Sequence, residues 1–186
     1  MVKKNVFITG VLFVAFLVVN GNSYAKESVI FNNGRTIDIA YSKCGTNAPI
    51  HLVKVDKENG TIKWKWDNKS NVWCGWGTES LPEKDLSAYL NGYLVISFSG
   101  DFQGGSPEIK FLDFDGSSTP LVNVESYMGG DPKAGVIIKI PIKKFVGDDK
   151  DFMPVNIKNI KTLQFDAEFK SNLGKITIKE IKITDR

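Results

Sequence analysis

Trp64-Lys-Trp66-Asp-Asn-Lys-Ser-Asn-Val-Trp73-Cys-Gly-Trp76-Gly77 holds all four tryptophans of a 186-residue chain. Tryptophan joins a wide apolar plane to a single N–H donor, so such a cluster is either packed core or a platform for a ring-shaped ligand. The alternation inside the stretch sorts the candidates. Ile62, Trp64 and Trp66 share one face of an extended segment and Lys63 and Lys65 the other, the period-two pattern of a half-buried strand. After the polar turn Asp67–Asn71, Val72, Cys74 and Trp76 share a face and Trp73 takes the opposite one. Only some of the rings are needed inside such a two-stranded unit. Because Trp73-Cys-Gly-Trp76-Gly77 is flanked by glycine, a ligand could approach Trp73 and Trp76 unobstructed.

Working outward, the same rhythm recurs. Gly, Asn, Asp and Pro punctuate the chain every ~8–12 residues, and the intervening pieces alternate apolar with polar. Strands are predicted at 28–31, 36–41, 50–56, 61–67, 72–77, 93–100, 108–113, 135–141, 162–169 and 175–184. Single helical turns are expected at 86–90 and 153–157. In the last strand Ile176 and Ile178 are out of phase with Ile181 and Ile183, which predicts a β-bulge at Lys179-Glu180. The fold class is all-β, an antiparallel β-sandwich. The stretch from Asp113 to Gly135 reads as one long loop, of the kind that borders binding faces.

Residues 1–25 read as a signal peptide: Lys3 and Lys4, an apolar run from Val6 to Val19, and Ser23-Tyr24-Ala25 before the cleavage point. The run is shorter than the roughly 20 residues that span a bilayer. A single domain, 26–186, is therefore expected to be secreted or periplasmic, with no transmembrane segment. Loss of the two leader lysines takes the formal charge from +3 to about +1, which argues against nucleic acid as a partner. Export places Cys44 and Cys74 where disulfides persist; the pair is read either as one disulfide or as two buried thiols.

The inventory of reactive groups is thin. The single histidine, His51, has no motif around it, no serine sits in a nucleophile elbow, and no His pair has metal-ligand spacing. Asp113 with Asp115, or Asp166 with Glu168, are the pairs that a glycan-cleaving enzyme would need, although pairs two apart usually decorate a solvated face. Asp148-Asp149-Lys-Asp151 lacks the pattern of a calcium loop and reads as a solvated turn. A structural calcium has one other candidate place, Asn33 with Glu180, should the first and last strands pair.

Several pieces together resemble the jelly-roll, galactose-binding-like carbohydrate-binding modules of bacterial glucanases, including the C-terminal sugar-binding domain of exo-acting β-glucanases. They are Phe31-Asn-Asn-Gly34, Trp73-Cys-Gly-Trp76-Gly77, Asp85-Leu-Ser87 leading into Tyr93-Leu-Val-Ile-Ser-Phe98, Ile138-Lys-Ile140-Pro141, and the closing Ile176-Thr-Ile-Lys-Glu180-Ile-Lys-Ile183. The likeness spans nearly all of 26–186, and it departs from the family where the closing strand's Asp-rich calcium turn reads Thr177-Ile-Lys179-Glu180. The resemblance implies a jelly roll that binds a polysaccharide or oligosaccharide, of which β-glucan is one candidate, without cleaving it. Trp73, Trp76 and Tyr127 would supply stacking planes, with Asp101, Gln103, Gln164 and Asp166 as hydrogen-bonding rim. Two other readings stay open: a small glycan-active hydrolase or lyase on the same scaffold, and an envelope protein-interaction module.

Overall fold

A computed structural model describes residues 25–45, 50–67, 73–146, 155–167 and 173–186. Apart from Ala25, the leader expectation falls outside these residues, as do the Asp148–Asp151 turn and the first two residues of the 153–157 turn. Eleven strands are described: β1 (Glu27–Phe31), β2 (Ile39–Cys44), β3 (Ile50–Asp56), β4 (Thr61–Asp67), β5 (Cys74–Thr78), β6 (Tyr93–Gln103), β7 (Glu108–Asp113), β8 (Val122–Asn123), β9 (Val136–Pro141), β10 (Ile160–Ala167) and β11 (Leu173–Thr184). They form two antiparallel sheets, ordered β3-β4-β11-β6-β9 with β1 also on β11, and β2-β5-β10-β7-β8. From β4 onward most connections carry the chain from one sheet to the other, so the layers close face to face as a jelly-roll sandwich.

The long strand β11 is the spine of the larger sheet. β6 pairs along its whole length, while β4 and then β1 share its other edge. The change of neighbour coincides with a register shift between Ile178 and Glu180, the bulge expected from the phase slip. With it, Ile176, Ile178, Ile181 and Ile183 are all buried. The β3–β4 hairpin is set by Asp56, whose carboxylate accepts from the Asn59 backbone and side chain and from Lys63, with Gly60 at φ 56° closing the turn. Those donors hold the Asp56 carboxyl down at about 2.

The core forms where the inward faces meet. Trp64 and Trp66 of β4 lie 4.2 Å apart, and Trp64 meets the edge of Trp76 at 6.3 Å. Trp76 in turn stacks flat on Phe165, at 4.5 Å and 4°. Gly174, opposite Trp66 in the ladder, leaves room for that indole, since a Cβ there would collide with it. The presumed loop 113–135 is shorter than its sequence suggests. It contains β8 and the 3₁₀ turns Val124–Tyr127 and Pro132–Ala134, capped by the Asn123 and Asp131 side chains.

One end of the sandwich is clamped twice. Cys44 and Cys74, directly opposite on β2 and β5, form a disulfide. Beside it His51 of β3 ties the two sheets together: the Trp64 indole N–H donates to Nδ1 at 3.3 Å, which leaves the ring proton on Nε2 to donate to Ser42 Oγ at 2.7 Å. Three possible ligand atoms, from Cys44, His51 and Cys74, lie within 4.8 Å of one another, but the sulfurs are bonded together and offer no thiolate.

Two outcomes follow from this clamp. Reducing the disulfide that links residues 30 apart should cost roughly 3–4 kcal/mol on the chain-entropy model, read as a lower denaturation midpoint of Cys44→Ser/Cys74→Ser. Burial holds the His51 imidazole below its ordinary 6.5, so the unfolded chain takes up that proton first as pH falls. Stability is therefore complete above that value and declines as pH drops through it toward the folded value. Urea unfolding between pH 7.5 and 5 should show this slope, and His51→Gln should flatten it; an equal slope in both proteins would exclude His51 as its source.

Candidate functional site

The outward face of the smaller sheet is built around two glycines. On β5, Cys74, Trp76 and Thr78 point into the core, so Gly75 and Gly77 point out. A Cβ on Gly77 would meet Cε1 of Tyr41 at 2.7 Å, and one on Gly75 would meet Cζ2 of Trp73 at 2.5 Å. Both rings therefore lie over bare backbone: Tyr41 reaches across from β2, where it is Gly77's ladder partner, and Trp73 folds back from the residue before β5. Both are partly exposed. They cover positions two residues apart, about 7 Å along the strand.

Next to the glycines, β10 presents Gln164 opposite Gly77 and Asp166 opposite Gly75. Asp166 is fully buried and satisfied on both oxygens: Gln164 Nε2 donates at 2.6 and 2.8 Å, and Lys110 Nζ of β7 lies 3.1 Å away. Burial first, and the Asp166 charge second, push the Tyr41 phenol far above its ordinary value of 10.0, so it remains a neutral donor.

The residues expected to form one site are divided by the fold. Trp73, Gln164 and Asp166 meet on this face. Trp76 does not: it is 0% exposed, sealed against Phe165 and Trp64, because it shares parity with Cys74 and must point inward when the disulfide does. Tyr127 packs at the edge of the core in the turn after β8, three strands and about 14 Å across the sheet from β5. Asp101 and Gln103 stand on β6, in the other sheet, where Lys133 holds Asp101 at 3.4 Å.

Sequence reasoning missed Tyr41 and Lys110. Tyr41 has the parity of Ile37 and Ile39, which reads as core; a register shift between Ile39 and Tyr41 turns it outward. Lys110 alternates with buried Ile109 and Phe111, so its outward direction was legible but its carboxylate partner on β10 was not.

The calcium expectation meets a poor donor set. β1 and β11 do pair, but the Glu180 carboxylate lies 4.0 Å from the Lys182 ammonium, and Asn33 packs against Gly60 in the β3–β4 turn. A cation beside the only carboxylate of the pair opposes a divalent ion.

Several solved structures with this architecture are carbohydrate-binding modules. The family 30 module of a cellulosomal cellulase of Clostridium thermocellum is 19% identical, with TM-score 0.61 over 87% of this chain and 98% of that one. A second family 30 module gives 20%, 0.63, 87% and 99%. A family 11 module of Clostridium thermocellum, in complex with a β-1,3-1,4-mixed-linked tetrasaccharide, gives 17%, 0.57, 87% and 96%. At these identities the likeness concerns the fold. No curated protein matches the sequence. The family assignment comes from the sequence itself: the model described as "Carbohydrate binding domain 30" matches residues 19–185, nearly the whole chain, which therefore belongs to that carbohydrate-binding family.

Proposed function

We propose that the protein binds a neutral β-glucan chain along the outward face of the β2-β5-β10-β7-β8 sheet, without cleaving it. The observation that carries this is the pair of rings, Tyr41 and Trp73, laid over Gly75 and Gly77. The apolar C–H face of a pyranose packs on such a plane, and two planes about 7 Å apart suit sugar units of one chain. Asp166, being sealed, acts beneath the ligand: it holds Gln164 and the Lys110 ammonium in place as the groups nearest the sugar hydroxyls. The family 11 relative was solved with a mixed-linked β-glucan tetrasaccharide, which guides the choice of first ligand.

Binding without turnover accords with the chemistry on this face. Asp166 is sealed from solvent and bonded to an amide and an ammonium, with Glu108 as its ladder partner on β7, and the only histidine is committed to the clamp between the sheets. Export follows from the leader: cleavage after Ala25 would deliver the module, disulfide formed, to the periplasm or beyond. A mature N-terminus at Lys26, read by mass spectrometry of the exported protein, checks this part.

In calorimetric titration with mixed-linkage β-glucan oligosaccharides, Trp73→Ala and Tyr41→Ala should each lose about ten- to hundredfold in affinity, roughly 1.4–2.8 kcal/mol, with unchanged unfolding midpoints. Trp76→Phe should bind like the parent, because its indole N–H finds no partner among the described residues and a phenyl ring can keep the stack on Phe165. Trp76→Ala should instead lose about 3–5 kcal/mol of stability. Full affinity in both Trp73→Ala and Tyr41→Ala would sink the proposal, and release of reducing ends by the parent would replace binding with catalysis.

A further inference from the structure

The opposite face of the molecule has a different character. On the outward side of the larger sheet lies a depression of about 460 Å³, walled by Leu52 of β3 and by Lys133 from the turn before β9. A second hollow of about 240 Å³ shares Lys65, Asp101 and Lys175 with it and extends to Gln103 and Leu173. The two form one trough along β11 from Thr177 to Leu173, about 13 Å.

The trough is cationic in an unusual way. Lys65 and Lys175 are direct ladder partners on β4 and β11, and Lys54 and Lys63 are direct partners on β3 and β4. Like charges directly opposite in a sheet oppose folding. Of the carboxylates on this face, Asp56 is held by Lys63, Asp101 by Lys133, and Asp67 is buried. Lys175 stands between Lys65 on β4 and Asp101 on β6; Asp101 is drawn to Lys133, and among the described residues neither Lys65 nor Lys175 closes an ion pair, and both are exposed. The floor between them and the next row is polar, with Thr177 opposite Ser99. The exposed Leu52, opposite Lys65, adds an apolar wall.

We infer that this trough is a second glycan site, which takes the anionic groups, carboxylate or sulfate ester, of an acidic polysaccharide. Lys65 and Lys175 meet the anion, Lys133 and Gln103 reach neighbouring hydroxyls, and Leu52 covers a C–H face. A strand-lined hollow a few sugars long suits a single polysaccharide chain better than a bilayer or a duplex, which would need a broad basic surface. The protein as a whole carries only a small net charge, so the attraction is local to this face.

The test is affinity electrophoresis of the full mature chain in gels containing polygalacturonate, dextran sulfate, or neutral mixed-linkage β-glucan, at low and moderate salt. The parent should be retarded by at least one acidic polymer, and which of the two identifies carboxylate or sulfate as the ligand group. Lys65→Gln/Lys175→Gln should weaken that retardation at least tenfold and leave retardation by the neutral glucan unchanged. Lys143→Gln/Lys144→Gln removes the same charge from a distant exposed turn and should retain acidic binding. Trp73→Ala should show the reverse selectivity, so failure of the β-glucan site and failure of this one are read separately. The inference is overturned if neither acidic polymer retards the parent, if the Lys65/Lys175 variant is retarded like the parent, or if the Lys143/Lys144 control loses as much.

Discussion

Strand β5 imposes the constraint on which core and binding face both depend. Its five residues alternate large and absent side chains: Cys74, Trp76 and Thr78 inward, Gly75 and Gly77 outward. The inward set supplies the disulfide, the stack on Phe165 and the Thr78 hydroxyl that accepts from Leu163 N–H at 3.0 Å. The outward set supplies bare backbone on which two rings come to rest. A slip of one residue in this ladder would expose Trp76 and press two glycines into the core. Three contacts of different kinds oppose that slip, so the binding face inherits its register from the core behind it.

The aromatic platform also depends on what replaces the missing side chains. Glycine weakens a strand interior, and an aromatic ring leaning over it from the neighbouring strand restores packing. Tyr41 does this for Gly77, and Trp73 for Gly75, from two residues upstream. The rings are thus supported from below by backbone and remain partly open above, the condition for a stacking surface that does not reorganise on binding. Any side chain larger than hydrogen at Gly77 would lift the Tyr41 ring while leaving the core behind it intact.

How much of this was legible in the sequence depended on the range of the information. Parity is local, and it read correctly that Ile62, Trp64 and Trp66 face away from Lys63 and Lys65, that Cys74 and Trp76 point opposite to Trp73, and that Ile178 and Ile181 straddle a bulge. That same parity places Trp76 inside; its glycine neighbours suggested openness, but they open only the other face of the strand. Two things were not local. The bulge before Tyr41 reverses its direction without a mark in the alternation. Which sheet a strand joins is set by pairing between residues far apart in sequence. Asp101 and Gln103 on β6 and Gln164 and Asp166 on β10 have the same polar-out pattern, yet they end on opposite faces of the sandwich.

The two faces should then differ in the charge of what they accept. Beneath the aromatic platform lies the buried Asp166 carboxylate, and after burial its field is the second cause that raises the Tyr41 phenol above 10.0. An anionic sugar set on Tyr41 would meet that same field and that of Glu108 beside it, softened by Lys110 and by Lys43 opposite Gly75, in a partly desolvated place where charge repulsion is less screened than in water. The lysine face presents the opposite condition, with Lys65 and Lys175 already repelling each other across the ladder. A neutral chain loses nothing on the first face and gains little from the second; an acidic chain is disfavoured on the first and relieves repulsion on the second. Selection by charge therefore follows from the buried Asp166 carboxylate on one sheet and the Lys65–Lys175 ladder pair on the other, about one sandwich thickness apart.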